Sequence, residues 1–115
     1  MAITSEIIGK LGGADVEVIP VEGVASGPKG SSKVLATIDV PAGETWLVAV
    51  IGQVTASDFQ SYRPDLHLGS EVSSSNSTGV QGLATTATEP ISFTIKRNYS
   101  SGTDSFTGHV YTVKM

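Results

Sequence analysis

The side chains best suited to catalysis in this chain are two histidines, His67 and His109, together with carboxylates and many serines. Asp65 and His67 are two positions apart, so on a β-strand they would share one face, as the acid and base of a hydrolase can. Such a pair is equally an ordinary hydrogen-bonded couple at a surface. The Gly-x-Ser-x-Gly sequence of a nucleophile elbow is absent. We therefore expect no enzymatic activity and no catalytic residues.

A metal site is the second kind of chemistry that the histidines permit. His67, His109 and Asp65 would supply two imidazoles and one carboxylate, a ligand set that occurs in metalloproteins. Two closely spaced histidines followed by a carboxylate do not occur, and the chain has no cysteine. The segment 27–32 also lacks the Gly-x4-Gly-Lys-Ser/Thr spacing of a phosphate loop. We expect neither a metal nor another cofactor.

The charge of the chain argues against nucleic acid as a partner. Lys and Arg number 7 against 11 Asp and Glu, which gives a formal net charge of −4. Phosphate-binding surfaces need clustered basic side chains, whereas the only adjacent basic pair is Lys96-Arg97. The longest apolar run, Trp46–Ile51, is far shorter than the ~20 residues of a membrane-spanning helix. We expect neither nucleic acid nor a membrane as partner.

Composition and periodicity predict an all-β fold. Val, Ile and Thr outnumber Leu, Ala and Met, and branching at Cβ favours a pleated strand over a helix. Stretches of alternating apolar and polar residues recur along the chain, separated by clusters of Gly, Pro, Asn, Asp and Ser. We predict a single β-sandwich or jelly-roll-like domain of seven to eight short antiparallel strands over residues 14–115.

Two strand predictions are specific. The run 45–54 is apolar at nearly every position, so it is predicted to be buried on both faces, as a central strand or as one covered by a second chain. The run 91–96 alternates apolar and polar residues, and a second run, 106–114, follows a turn rich in Ser, Gly and Asp. We predict that 91–96 and 106–114 form an antiparallel hairpin.

Proline and glycine mark the predicted boundaries. An alternating stretch that begins at Ala14 is predicted to end at Pro20. The segment 21–32 contains several glycines and a proline and is predicted to be a long surface connection. The sequence Pro41-Ala-Gly-Glu44 is predicted to form a tight turn, because proline pre-sets one backbone angle and glycine allows a positive φ.

The first thirteen residues have a different pattern. Four aliphatic side chains have helical spacing and are followed by Gly12-Gly13. Because so short a helix is marginal alone, its apolar stripe needs a surface. We predict an N-terminal arm over residues 1–13, helical or extended, that packs either on its own domain or on a partner. The candidate partner-binding residues are Ile3, Ile7, Ile8 and Leu11.

Several features occur together in this chain: the start Met1-Ala-Ile-Thr-Ser-Glu6, an apolar arm ending in Gly12-Gly13, a β domain rich in Ser, Thr and Gly, and the absence of cysteine. The segment Ile38-Asp-Val-Pro-Ala-Gly-Glu-Thr-Trp-Leu-Val48 is similar to a strand–turn–strand of tail-associated and head-decorating β-sandwich proteins. The chain as a whole resembles small structural proteins of bacteriophage virions, of the minor tail or capsid-decoration type. No functional residue carries over, because no motif matches position by position.

The resemblance implies a non-enzymatic structural protein that is present in many copies. It would associate with itself as a trimer or another closed ring, contact other virion proteins, and reside in the virion after synthesis in the host cytoplasm.

Aromatic side chains offer an alternative function. Tyr62, Tyr99 and Tyr111 could form a platform for sugar rings beside the polar loop 70–82, because aromatic faces suit carbohydrate C–H groups. Trp46 opens the most apolar strand, so we expect it to pack in the core. A carbohydrate-binding module, for example a reader of a host surface, is therefore the alternative to a virion structural protein.

Overall fold

The computed structural model describes residues 16–56, 64–73, 79–98 and 102–115. Within these ranges the protein consists of β-strands and their connections, and no helix there is long and apolar enough to span a lipid bilayer. The described strands are β1 Val16–Ser26, β2 Ser32–Ile38, β3 Trp46–Ala56, β4 Asp65–Leu68, β5 Glu71–Ser73, β6 Gly79–Ala87, β7 Ile91–Lys96 and β8 Thr103–Lys114. The predicted arm 1–13 and the predicted start of the domain at residue 14 lie outside the described residues.

The strands form two four-stranded sheets that pack face to face. Sheet A has the order β1-β8-β3-β6, and sheet B has the order β2-β7-β4-β5. All neighbouring strands are antiparallel, and the pairs β1–β8, β2–β7, β3–β6 and β4–β5 are nested along the chain. An eight-stranded double sheet with this order is a jelly roll. The prediction of an all-β sandwich is confirmed.

The core lies between the sheets and consists of their inward-facing apolar side chains. Val48, Val50 and Val110 of sheet A are buried against Phe93 of sheet B. Phe93 meets Phe106 of sheet A edge to face, with ring centroids 4.9 Å apart. Full burial of one such side chain stabilises the fold by ~1.5–3 kcal/mol, and this core therefore holds the two sheets together.

β3 is a central strand of sheet A, flanked by β8 and β6. Val48, Val50 and Val54 are buried on its inner face. On its outer face Leu47 and Ile51 are half-buried. The prediction that the apolar run forms a central strand is confirmed, and the outer face is apolar as well as the inner one.

The predicted hairpin between 91–96 and 106–114 is wrong. The two runs are β7 and β8, but β7 pairs with β2 and β4 in sheet B, whereas β8 pairs with β1 and β3 in sheet A. The connection between them therefore crosses from one sheet to the other. Local alternation specifies which side chains face the core, but either set of partners would bury the same side chains.

The prediction that Pro20 ends the first strand is also wrong. β1 continues through Pro20, which lies opposite His109, as far as Ser26. Because β1 is an edge strand of sheet A, one of its sides pairs with none of the other described strands, and a residue without an N–H is tolerated there. The predicted connection 21–32 is reduced to residues 27–31.

The predicted turn between β2 and β3 is confirmed. The N–H of Glu44 donates to the carbonyl oxygen of Pro41 over 3.1 Å, closing the turn. Gly43 has a φ of 83°, a conformation that side chains with a Cβ rarely adopt. This turn leads into β3, which begins at Trp46.

Candidate functional site

The outer face of sheet A, which points away from the core, is apolar at one end. Along β8 the even-numbered residues such as Phe106 and Val110 are buried, so the odd-numbered ones point outward, and the register extends this assignment to the other strands. We call the outward side chains at this end the apolar patch. Its members are Val16 and Val18 of β1, Tyr111 and Val113 of β8, Leu47, Ala49 and Ile51 of β3, and Ala84 of β6.

The strand register aligns the apolar patch into rows across all four strands. One row runs from Val18 through Tyr111 and Ala49 to Ala84. Exposure along this row is greatest at the edge strand, where Val18 is 49% exposed, and least at Ala49, which is 3% exposed. The accessible part of the patch therefore lies toward β1.

Charge is almost absent from this face. Among the described outward positions of sheet A, Glu22 is the one Asp, Glu, Lys or Arg residue, and it lies in a row with Thr107 and Gln53, away from the apolar patch. His109 lies between the two ends, with its ring 6.2 Å from that of Tyr111. The apolar patch itself has no charged group that would attract an ionic ligand or repel an identical patch.

The outer face of sheet B mixes charged, polar and apolar side chains, and Val34 of β2 and Val72 of β5 are 53% and 48% exposed on it. Asp65 of β4 lies opposite Lys96 of β7 in the register. His67 lies between Thr94 on one side and Val72 on the other. The polar and charged side chains of this face are those expected where a sheet meets water.

No protein-family model, curated protein or solved structure matches this chain. The jelly roll alone does not specify a function, because viral capsid proteins and lectins both use it. The function therefore has to be inferred from the residues of this protein and the surfaces on which they lie.

The structure separates the residues that were considered for catalysis and metal binding. Asp65 and His67 share the outer face of sheet B, as their spacing predicts, but His109 lies on the outer face of sheet A. These faces are on opposite sides of the sandwich, so one metal ion could not contact all three side chains. Among the described residues, no three His, Cys, Asp or Glu side chains form a group that could hold a metal ion.

Asp65 and His67 are partly buried in spite of their outward position. Asp65 Oδ1 and His67 Nε2 are closed off from solvent and have no hydrogen-bond partner. In a hydrolytic triad one ring nitrogen bonds the carboxylate and the other bonds the nucleophile. His67 Nε2 makes neither contact, so the pair does not form the hydrogen-bond chain of a triad.

Trp46 lines a groove of about 240 Å³ at the open side of the sandwich between β1 and β2. The indole is half-buried against the core, as expected, and its N–H donates to Glu44 Oε1 over 2.8 Å. Glu17 and Asp39 line the same groove. An aromatic ring beside carboxylates offers a stacking surface together with hydrogen-bond acceptors, which is the chemistry that sugar rings require.

Of the three tyrosines of the predicted aromatic platform, Tyr111 lies within the described residues. Tyr111 belongs to the apolar patch, on the opposite side of sheet A from the Trp46 groove. Tyr62 and Tyr99 lie outside the described residues, as do the candidate partner-binding residues Ile3, Ile7, Ile8 and Leu11.

A buried ion pair between Arg97 and Asp104 was not predicted from the sequence. Arg97 Nη1 lies 2.8 Å from Asp104 Oδ2, and the two side chains are 1% and 6% exposed. The backbone of Arg97 is also held, because its N–H donates to Ser31 O and its carbonyl accepts from the N–H of Gly30. These contacts connect the two sheets at the point where the chain passes from β7 of sheet B to β8 of sheet A. The alternating pattern that predicts an inward-facing Ile95 also predicts an inward-facing Arg97, and a buried arginine indicates a buried acidic partner.

Proposed function

We propose that the protein is a non-enzymatic structural subunit that self-associates, with the apolar patch of sheet A as its contact to a second copy. The observation that carries the proposal is the contrast between the outer faces. The apolar patch of sheet A consists of aliphatic and aromatic side chains without charge, whereas the outer face of sheet B includes Asp65 and Lys96. Removing apolar surface from water contributes ~25 cal/mol per Å² to an association.

The apolar patch offers a contact of modest size. Four strands spaced by about 4.8 Å and about five residues rising by about 3.3 Å each give a face of roughly 320 Å². Two such faces together come to roughly 630 Å², about half of the ~1,200 Å² at the lower end of specific interfaces, so we expect a weak association that depends on protein concentration. Since the apolar patch has no charged member, the patches of two or more copies would meet around a symmetry axis without like-charge repulsion.

The resemblance to small bacteriophage virion proteins extends the proposal to a place of action. In this extended proposal the protein is a capsid-decoration or minor tail component. It assembles as a trimer or another closed ring and is attached to other virion proteins. The arm residues Ile3, Ile7, Ile8 and Leu11 stay the predicted contacts of that attachment. The jelly roll supports this as an analogy of fold, because viral capsid proteins use it.

A matched pair of substitutions tests the self-association. Val18 on β1 and Val34 on β2 are outward-facing valines of edge strands, 49% and 53% exposed, but they lie on opposite faces of the sandwich. We expect Val18→Lys to weaken association at least about tenfold, because the interface would have to desolvate the charge. We expect Val34→Lys to leave it unchanged. Light scattering across a concentration series measures the mass.

Two results would contradict the proposal. One is a protein that stays monomeric at every concentration up to the millimolar range, and the other is equal weakening by the two substitutions. The virion assignment has a separate test, which is mass spectrometry of purified particles. Particles that lack the protein would remove this part of the proposal and leave self-association standing.

A carbohydrate-binding module is the second candidate, and the Trp46 groove is the observation that favours it. Asp39 is exposed and lines this groove, so Asp39→Ala would remove an acceptor without disturbing the core. Glu89 is an exposed carboxylate elsewhere, and Glu89→Ala is the matched control. If the groove binds sugars, a glycan array shows a selective signal that the first substitution abolishes and the second preserves. An array without selective signal rejects this candidate.

A further inference from the structure

The Trp46 groove contains negative charge that no neighbouring cation balances. Glu17 of β1 and Asp39, the residue after β2, both line the groove. Neither carboxylate has an ion-pair or hydrogen-bond partner among the described residues, and none of the described residues that line the groove is basic. Carboxylates gathered at one groove give it a negative potential, which attracts a positively charged ligand. A neutral sugar requires hydrogen-bond acceptors here, but it does not require this charge.

A buried hydroxyl group points to a ligand independently of the charge. Thr112 of β8 lies opposite Glu17 in the strand register and also lines the groove. The residue is only 2% exposed, and its hydroxyl makes no hydrogen bond to another described residue. A buried polar group without a partner costs free energy. An N–H donor of a ligand in the groove would therefore be stabilised at this hydroxyl.

The groove also has apolar walls. Ile19 of β1 is 38% exposed and lines it beside the indole of Trp46. The ring orientation is held, because the indole N–H donates to Glu44 Oε1 over 2.8 Å. Lys114 Nζ lies 3.8 Å from the same oxygen, so this lysine is directed at Glu44 rather than at the groove. The groove thus combines a fixed aromatic ring, an aliphatic wall, two carboxylates and a hydroxyl.

We infer that the Trp46 groove binds the side chain of an arginine that belongs to a partner protein. A guanidinium group is planar, carries five N–H donors and stacks on aromatic rings. It would lie against the indole of Trp46 and donate to Glu17 and Asp39, while its aliphatic stem packs against Ile19. The groove and the apolar patch lie on opposite sides of sheet A, so this inference does not depend on the proposed self-association.

Other cations fit the groove less well. Its volume of about 240 Å³ is below the ~300–1,000 Å³ of pockets that enclose a whole small molecule, and it suits a single side chain. Among the described residues, no three His, Cys, Asp or Glu side chains form a group that could hold a metal ion. A lysine ammonium is a strongly hydrated point charge and lacks the planar surface that stacks on an indole.

The fluorescence of Trp46 provides a direct test, because this is the only tryptophan of the chain. The probe is Nα-acetyl-argininamide, which represents an arginine within a polypeptide. We expect a saturable change in fluorescence with half-saturation near ~1 mM. Nα-acetyl-citrullinamide has the same shape but an uncharged urea group, and it should bind at least about tenfold more weakly. Binding of the arginine probe should also weaken between ~0.05 and ~0.5 M sodium chloride.

Substitutions that preserve shape test the residues of the groove. Glu17→Gln and Asp39→Asn remove one charge each, and each should weaken binding about threefold. Glu22→Gln is the matched control, because Glu22 is an exposed glutamate of the same strand that points away from the groove. Thr112→Val should also weaken binding about threefold. It should leave the stability in urea unchanged, because the hydroxyl that it removes has no partner within the described protein.

Three results would overturn the inference: no saturable change up to about 50 mM of the arginine probe, equal binding of the citrulline probe, or equal effects of the groove substitutions and Glu22→Gln. A fourth is binding of free arginine more than about tenfold tighter than that of the blocked probe, since the ligand would then be the free amino acid.

Two further measurements separate this inference from the proposals above. An amide can still bond sugar hydroxyls, so glycan binding that survives both Asp39→Asn and high salt, without binding of the arginine probe, would assign the groove to sugar and overturn the inference. Light scattering of Glu17→Gln should give the mass of the unaltered protein, because the apolar patch is intact. Loss of arginine binding with unchanged mass would therefore support the groove as a site separate from self-association.

Discussion

The interior of the sandwich and the outer face of sheet A are both rich in apolar side chains, but they differ in the charged residues that they contain. The interior contains Arg97 and Asp104, which form an ion pair. The apolar patch contains no charge at all. Folding explains the apolar content of the interior, because those side chains fill the space between the sheets. It does not explain why the outer face of sheet A is apolar at one end, and this is the reason for which we propose that the apolar patch contacts a second copy.

The outer face of sheet B serves as the reference for this comparison. It belongs to the same domain and is crossed by strands of the same kind, yet it carries the exposed Lys96 and the half-buried Asp65. A sheet in this protein can therefore have a charged outer face without loss of the fold. The predictions below separate what the interior contributes to stability from what the outer face of sheet A contributes to association.

The largest expected effect comes from breaking the interior ion pair. Arg97→Met leaves the carboxylate of Asp104 buried at 4% exposure without its cation. Loss of one member of such a pair costs ~3–5 kcal/mol, because the other charge stays desolvated. Urea unfolding followed by circular dichroism measures the loss.

The matched control is the double substitution Arg97→Met with Asp104→Leu. It removes both charges, and we expect it to recover most of the stability that the single substitution loses. A single substitution that costs less than ~1 kcal/mol would contradict the account of a sealed interior, since an exposed pair costs that little.

The next largest loss of stability is expected where the central strands β3 and β8 pack closely at two glycines. Gly108 of β8 lies opposite Gly52 of β3, and a methyl group on Gly108 would collide with the backbone of Ile51 and Gly52. Gly108→Ala should therefore destabilise the fold by ~1–3 kcal/mol, as other overpacked cores are. The neighbouring Thr107 is exposed on the outer face, and Thr107→Ala should change stability by less than ~0.5 kcal/mol. Equal losses would contradict the packing argument.

The alternation of the sequence predicts much of the fold, because it reports locally which side chains face the core. It identifies β3 as a central strand, and it gives the turn at Gly43. It does not report which strand pairs with which, and for this reason it predicts one hairpin from 91–96 and 106–114, which belong to different sheets. It also predicts a strand end at Pro20, because proline is tolerated within β1 only through the edge position of this strand, which is a property of the whole sheet.

The candidate site was predictable only in part. The run 45–54 indicates a strand that is apolar on both faces, and β3 does contribute Leu47, Ala49 and Ile51 to the apolar patch. The remaining members come from other strands, which the register brings beside β3. Val18 and Tyr111 are far apart in sequence and become neighbours only in the folded sheet. Their spacing along the chain therefore contains no signal of the patch.

A smaller effect is expected when salt is varied. If the apolar patch is the interface, the association constant should change less than about threefold between ~0.05 and ~0.5 M sodium chloride, because no charged pair is there to be screened. Ammonium sulfate should strengthen association, since it favours burial of apolar surface. Sedimentation velocity at each salt concentration measures this. A steep weakening by sodium chloride would show that charged side chains hold the copies together.

The smallest effect is expected at the rim, where Lys114 Nζ lies 3.8 Å from Glu44 Oε1. The lysine side chain is 64% exposed, so water and salt screen this pair, and Lys114→Ala should cost no more than ~0.5 kcal/mol in thermal or urea unfolding. Glu44→Gln is the informative companion, because the amide oxygen can still accept the indole N–H of Trp46 while the charge is lost. A loss above ~1 kcal/mol for both would mean that burial is not what distinguishes the Arg97–Asp104 pair, and the contrast between interior and surface would then need another cause.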